Sequence, residues 1–399
     1  MELAQLQQYE AALSQRSHSC SLQIAAFSVT AAASGVMLLL WRRLNPENRA
    51  RLWRLYGWYT GLACIGSCFG IVATAAHINY VESLVEVRFA SKVLAAYNVS
   101  SPDDAAYYTG LAELYSKQER SYLMTSILVI PDAIQVLLIT SAKLMVLDRM
   151  AHAAISTSRG MPARWATAER IVMGVIVVLN LAACCCSAAA SFYSGQRMAP
   201  SRNAAAAFAA EDLELGLQYA DDVDNWTNRS YVAQAVADFC QAVACLFVVA
   251  TFLLAVAVCA RRIKTILRLQ PHADAGSLVP NLSHDVKRVW RHIIGVCSFV
   301  FVAFVLLSFQ LTLMAVAEYG ASDDDCPVES AQFCNPCYNT YSLIQQWFFF
   351  TPEFDVLCTL ISSPLALLFT LRGMGTNRLL QMLKQQGRLV DSKMISWLK

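Results

Sequence analysis

The chain has 399 residues, of which 56% are hydrophobic and only 15% are charged. A soluble protein carries about 25% charged residues, so the composition argues against an ordinary soluble domain. The formal net charge of +2 gives no indication of a nucleic-acid partner. The charged residues lie in blocks, and the stretches between them are apolar.

Seven of these apolar stretches predict transmembrane helices. About 20 helical residues cross a hydrocarbon core of about 30 Å, and continuous apolar runs without strict alternation favour helices over strands. The predicted spans are about Leu22–Trp41, Gly57–Ile78, Tyr122–Val146, Ile171–Tyr193, Val232–Ala260, Ile293–Val316 and Trp347–Leu371. The predicted fold is an all-α, seven-helix transmembrane bundle over residues 22–371, between an N-terminal segment (1–21) and an amphipathic tail (372–399).

The distribution of Lys and Arg predicts the orientation. Twenty-two of the 31 basic residues fall in one alternating set of connections and in the tail, and only eight fall in the complementary set. Because basic residues collect on the cytosolic side, we expect the N-terminus outside and the C-terminus in the cytosol of a plasma-membrane protein. Residues 1–21 lack the basic region of a cleaved signal peptide, so we expect the first span to act as the insertion signal.

The external connections carry further predictions. Val85–Tyr97 and Tyr107–Tyr115 have helical spacing of apolar residues, so the second and third spans are expected to continue as helices beyond the bilayer. Asn98, Asn225 and Asn228 each begin an N-glycosylation sequon on the predicted outer side. The sequence therefore predicts an externally glycosylated protein.

The cysteines divide in the same way. Ten of the 14 lie in or beside spans, where reduced thiols pack as small apolar groups. The other four map to the outer face, where disulfides persist; they are Cys20, Cys326, Cys334 and Cys337. Four cysteines allow three pairings, and the spacing does not choose among them.

Four carboxylates fall within the predicted spans, in their outer halves: Asp132, Asp238, Glu353 and Asp355. Gln135 follows Asp132 by one helical turn. Ionisable residues within a membrane are rare and usually functional. This pattern predicts an outward-facing polar cavity that binds a ligand or a cation. The alternative is that neighbouring polar groups cap each carboxylate or that headgroup water hydrates it.

No catalytic motif is present: the chain has no H-E-x-x-H, no G-x-S-x-G and no glycine-rich phosphate loop. The predicted seventh span contains no Lys that could hold a retinal Schiff base. We therefore expect neither an enzyme nor a bound cofactor.

The predicted topology, with Asp148-Arg149 at the cytosolic end of the third span, resembles the G-protein-coupled receptor superfamily. In rhodopsin-like receptors an acidic residue holds the following Arg, which meets the G protein on activation. The resemblance implies that Asp148 and Arg149 take these roles, with Arg262 and Lys287 on the cytosolic segments that separate. Met150 departs from the aromatic residue of the receptor motif.

The resemblance implies a receptor that senses an extracellular ligand and signals through its cytosolic face to a G protein or another partner. Two alternatives remain open. The intramembrane carboxylates could form the path of a cation or proton channel or transporter. The cytosolic segment Arg261–Arg291 could instead bind a partner in a membrane scaffold.

Overall fold

The computed structural model describes residues 3–42, 57–96, 105–156, 163–269 and 280–321, together with Leu343, Ile344, Trp347, Thr351, Phe354 and Cys358. These described residues are almost all helical, and no strand occurs among them. The helices are α1 (Leu3–Arg42), α2 (Trp58–Ala96), α3 (Ala105–Ser156), α4 (Ala163–Gln196), α5 (Met198–Ala209), α6 (Leu213–Leu269) and α7 (Pro280–Ala321).

Six helical stretches are long and apolar enough to cross a membrane: Ser14–Leu39, Trp58–Ser91, Ala105–Ala142, Arg170–Ala209, Leu213–Thr251 and Phe301–Gly320. Each overlaps one of the first six predicted spans, which confirms an all-helical protein with several candidate membrane spans. The predicted seventh span lies outside the described residues apart from four single positions, and the tail 372–399 lies outside them entirely. The number of seven spans and the orientation of the termini remain predictions.

Several helices are much longer than a bilayer requires. At about 1.5 Å per residue, the 52 residues of α3 extend about 78 Å and the 57 residues of α6 about 86 Å. The parts beyond the predicted spans meet on the predicted outer side in a layer that we call the cap, formed by residues 79–96, 105–121, 198–209 and 213–231. The predicted helical extensions of the second and third spans are confirmed, with α2 ending at Ala96.

The short helix α5 packs between α3 and α6 in the cap. The buried Phe208 ring stacks on Tyr115 with ring centroids 5.4 Å apart, and Ser201 Oγ donates a hydrogen bond of 2.7 Å to the Tyr115 carbonyl. On α6, Gly216 faces the same ring so closely that a Cβ there would lie 2.4 Å from Phe208 Cε1. Only glycine therefore allows α6 to approach α5 at this point.

Exposed ion pairs join the cap helices. Glu86 of α2 accepts from Lys117 Nζ at 3.3 Å and from Arg120 Nη1 at 3.2 Å, both on α3. Arg202 of α5 is paired with Glu119 of α3. Each of these side chains is at least partly exposed to solvent, so the pairs position the helices while contributing little free energy individually.

Below the cap, the described residues form two separate hydrophobic cores. The first joins α1, α2 and α3 and contains Phe27, Tyr59, Ala63, Ile139 and Ala142. The second joins α4, α6 and α7 and contains Ile176, Ala244, Cys245, Val248 and Phe304.

Ser126 of α3 and Ser191 of α4 connect the two halves. Ser126 Oγ donates to the Ser191 carbonyl at 3.1 Å, and Ser191 Oγ donates to the Ser126 carbonyl at 2.8 Å. Small side chains with reciprocal hydrogen bonds allow two helix backbones to approach closely in a membrane. This pair holds α3 against α4 close to the base of the cap.

Candidate ligand-binding site

Of the two predicted cavity carboxylates that the structure describes, Asp238 is buried and Asp132 is exposed. Asp238 lies on α6, about 9 Å below the start of the predicted fifth span at Val232, and its side chain is only 7% exposed. Gln234, one turn earlier on the same face, donates from Nε2 to Asp238 Oδ1 at 3.1 Å. Gln241 is buried nearly one turn further along. The residues at this spacing form a polar stripe within the apolar span of α6.

Two other carboxyl groups from neighbouring helices interact electrostatically with Asp238. They are Asp132 on α3 and Glu318 on α7, and together the three residues are called the carboxyl cluster. Asp132 is exposed, whereas Glu318 is 8% exposed and its Oε2 has no hydrogen-bond partner among the described residues. The carboxyl cluster therefore has an accessible member and two buried members.

This arrangement favours the capture of positive charge. Like charges near one another in a low-dielectric environment repel strongly. Neither Asp238 nor Glu318 forms any of the ion pairs in the described part of the chain. A bound proton, or the cationic group of a ligand, relieves the repulsion and partners the vacant Glu318 oxygen.

Within the described residues, no three His, Cys, Asp or Glu side chains are close enough together to hold a metal ion. A metal site brings all its ligand oxygens within about 2.6 Å of one ion.

The structure places the remaining predicted ligand-binding residues as follows. Gln135 is buried on α3, one turn below Asp132. Glu353 and Asp355 lie outside the described residues, so their part in the cavity remains a prediction. Glu318 was not predicted, because the sixth span was expected to end at Val316. The helix continues to Ala321, which carries Glu318 into the buried interior.

The predicted cytosolic coupling residues all lie in helices. Asp148 and Arg149 are in the C-terminal part of α3, Arg262 is in α6 and Lys287 is in α7. Their side chains lie outside what the structure describes. Asp132 and Arg149 belong to one helix, 17 residues or about 26 Å apart. The coupling role of Asp148, Arg149, Arg262 and Lys287 remains a prediction.

The predicted modification sites are only partly described. Asn225 is exposed on the cap part of α6, and Asn228 is half-buried one turn later. Asn98 lies outside the described residues. Cys20 is buried on α1, while Cys326, Cys334 and Cys337 lie outside the described residues. Glycosylation and the disulfide therefore remain predictions.

No protein family, no curated protein and no solved structure matches this chain.

Proposed function

We propose that this protein is a plasma-membrane receptor that binds an organic cation from the outer side and signals to a cytosolic partner, such as a heterotrimeric G protein. The observation that supports the proposal is the carboxyl cluster of Asp132, Asp238 and Glu318. Its members come from three different helices. A cation bound among them changes the relative stability of helix arrangements that differ in the spacing of these carboxyl groups, and such differential affinity is what shifts a conformational population.

Helix α3 supplies the connection from the ligand to the cytosol. It carries Asp132 at the carboxyl cluster and Asp148-Arg149 in its C-terminal part. Pro131, next to Asp132, removes one backbone hydrogen bond and so allows α3 to bend beside the ligand. A ligand-dependent change in this bend moves the predicted coupling residues about 26 Å away.

A binding experiment tests the ligand site. Full-length protein in lipid nanodiscs is titrated with a fluorescent quaternary-ammonium dye. We expect saturable binding, weakened about tenfold or more by Asp238→Asn and by Glu318→Gln because each substitution removes a charged partner. Asp222→Asn, an exposed position on the same helix as Asp238, is the matched control and should leave binding unchanged. Equal affinity of wild type and Asp238→Asn contradicts the proposal.

A second experiment tests the signalling step. Cells expressing the protein are assayed for activation of each class of Gα subunit with a panel of organic ammonium compounds. We expect Arg149→Ala to abolish coupling while surface expression and dye binding remain. If Arg149→Ala couples like wild type, the receptor assignment of this motif is wrong.

A proton or cation pathway is the second candidate function. The observation that favours it is the burial of both Asp238 and Glu318 within candidate spans, since such groups commonly mark ion paths. In proteoliposomes with an imposed pH gradient, a pathway produces a flux that Glu318→Gln abolishes. Flux without G-protein coupling favours this candidate, and coupling without flux favours the receptor.

A further inference from the structure

A second polar centre lies where the cap meets the bundle, around Arg197. This residue forms the turn between α4 and α5, and its side chain is only 5% exposed. Its guanidinium carbon lies 4.6 Å from the centre of the Tyr122 ring on α3 and 6.0 Å from that of Tyr231 on α6. A permanently charged group is therefore held among three helices.

The hydrogen bonds around Arg197 do not neutralise its charge. Arg197 Nη2 donates to Ser194 Oγ at 2.6 Å, Ser194 Oγ lies 3.0 Å from Ser230 Oγ, and Ser230 Oγ donates to the Ala190 carbonyl at 3.1 Å. Each hydroxyl has one hydrogen. Ser230 uses its hydrogen on Ala190, so Ser194 donates to Ser230, and the chain ends on a neutral carbonyl.

Arg197 differs in this respect from Arg120 and Arg202, two arginines of the cap. In the described part of the chain, Arg120 and Arg202 are exposed and each is paired with a carboxylate. Arg197 is buried and belongs to none of the described ion pairs, and its Nε–H has no hydrogen-bond partner in the part of the chain that the structure describes. A buried charge is expensive unless it is paired, and the two cation–π contacts offset only part of that cost.

We infer that Arg197 is the centre of an anion-binding site that takes the carboxylate group of a small organic anion. A guanidinium binds a carboxylate through two parallel N–H···O bonds. The unpartnered Nε–H and the neighbouring Nη hydrogens provide such a pair of donors. The Tyr122 and Tyr231 rings flank the guanidinium and shield the ion pair from water.

The proposed anion site is separate from the carboxyl cluster. It binds a negatively charged group, whereas the carboxyl cluster favours a positively charged one. On α6, Tyr231 and Asp238 are seven residues apart, which is two turns or about 10 Å. The anion site therefore does not depend on the proposed cation receptor, and either can fail without the other.

Purified full-length protein in nanodiscs is titrated with sodium acetate as the probe. The sodium salt of a bulky sulfonate makes up the difference in each sample, so that the ionic strength stays constant. Saturation-transfer NMR on the acetate methyl protons reports binding, and thermal unfolding reports stabilisation. We expect a saturable signal and a rise in Tm with acetate. Arg197→Gln should lose both, and Arg197→Lys, which keeps the charge without the planar donor pair, should bind about tenfold more weakly.

Two matched variants keep the test specific. Arg202→Gln, five residues away and exposed, and Asp238→Asn, in the carboxyl cluster, should both retain the acetate signal of wild type. An acetate signal that survives in Arg197→Gln, or no saturable signal in wild type, overturns the inference. If Arg197→Gln does not fold, the wild-type NMR titration and the Arg197→Lys variant still test the inference. An Arg197-dependent effect of chloride or phosphate but not of acetate overturns the carboxylate assignment.

Discussion

The charged side chains of the cap and those of the bundle interior differ in their exposure and in their pairing. In the cap, Glu86 pairs with Lys117 and Arg120 across two helices, and these side chains are at least partly exposed. In the interior, Asp238 and Glu318 are buried close to each other, and neither forms a described ion pair. Paired exposed charges position the cap helices, whereas buried carboxyl groups without an ion-pair partner lower stability.

The largest expected effect tests whether the cap is external. In protein from a eukaryotic host, substitution of Asn98, Asn225 and Asn228 by Gln should remove the whole glycosidase-sensitive mobility shift, because only outer sequons reach the glycosylation machinery. Gel mobility before and after glycosidase treatment measures this. Of the two sequons that the structure describes, the one at Asn225 should carry more glycan than the one at Asn228, because Asn225 is exposed and Asn228 is half-buried. Asn281 begins a fourth sequon, Asn281-Leu282-Ser283, on the predicted cytosolic side. Glycosylation at Asn281 would place the cap in the cytosol and reverse the comparison.

Packing in the cap should be sensitive to a single added side chain. Gly216→Val places atoms within the space of the Phe208 ring, and such overpacking typically costs about 1–3 kcal/mol. Thermal unfolding in detergent should show a clear decrease in Tm. Gly174→Val is the control, because a Cβ at Gly174 meets no atom within 4 Å. Equal decreases for the two variants would contradict the observed contact between α5 and α6.

Neutralising a buried carboxyl group of the bundle interior should raise the stability of the protein, whereas Gly216→Val should lower it. Asp238→Asn keeps the shape of the side chain and removes one of the like charges, so we expect the free energy of unfolding to rise by about 1 kcal/mol. Chemical or thermal unfolding measures the gain, and the dye titration measures the accompanying loss of cation binding. A variant that both unfolds more easily and binds the dye normally would show that Asp238 has a structural role.

The smallest effect is expected for the cap ion pairs. Glu86→Gln removes the partner of Lys117 and Arg120, which should cost less than about 1 kcal/mol because these side chains are partly exposed. Raising the salt concentration to about 1 M should remove most of that difference, since the Debye length falls to about 3 Å. A large decrease in the free energy of unfolding after Glu86→Gln that does not change with salt would contradict this expectation. It would show that the stability of the cap depends strongly on the charge of Glu86.

The sequence predicted the helices well because the membrane imposes a simple rule on apolar length. It also placed Asp132, Gln135 and Asp238 within helices at outward-biased positions. Their proximity depends on how the helices pack, which periodicity in a single helix does not determine. Glu318 was missed for a related reason: it follows the apolar run, so composition ended the span before it.

Arg197 gave no sequence signal, because a single Arg beyond a predicted span is usually exposed. Only the turn between α4 and α5, together with Tyr122 and Tyr231 from two other helices, buries it. Residues 203–210 were similarly difficult. Their run of Ala predicts a mobile or helical linker. The structure has a helix there, and Ala204, Ala207 and Phe208 are buried in it, which the run of Ala did not indicate.

The division of the bundle into two cores has a consequence for biosynthesis. Among the described residues, Phe27, Tyr59 and Ile139 belong to a core formed by helices α1 to α3, so we expect this half of the chain to pack as soon as α3 leaves the ribosome. The second half, centred on Ile176 and Phe304, then assembles against a partner that is already folded. Two polypeptides divided between Ser156 and Ala163 and synthesised together should therefore find each other in the membrane and join at Ser126 and Ser191.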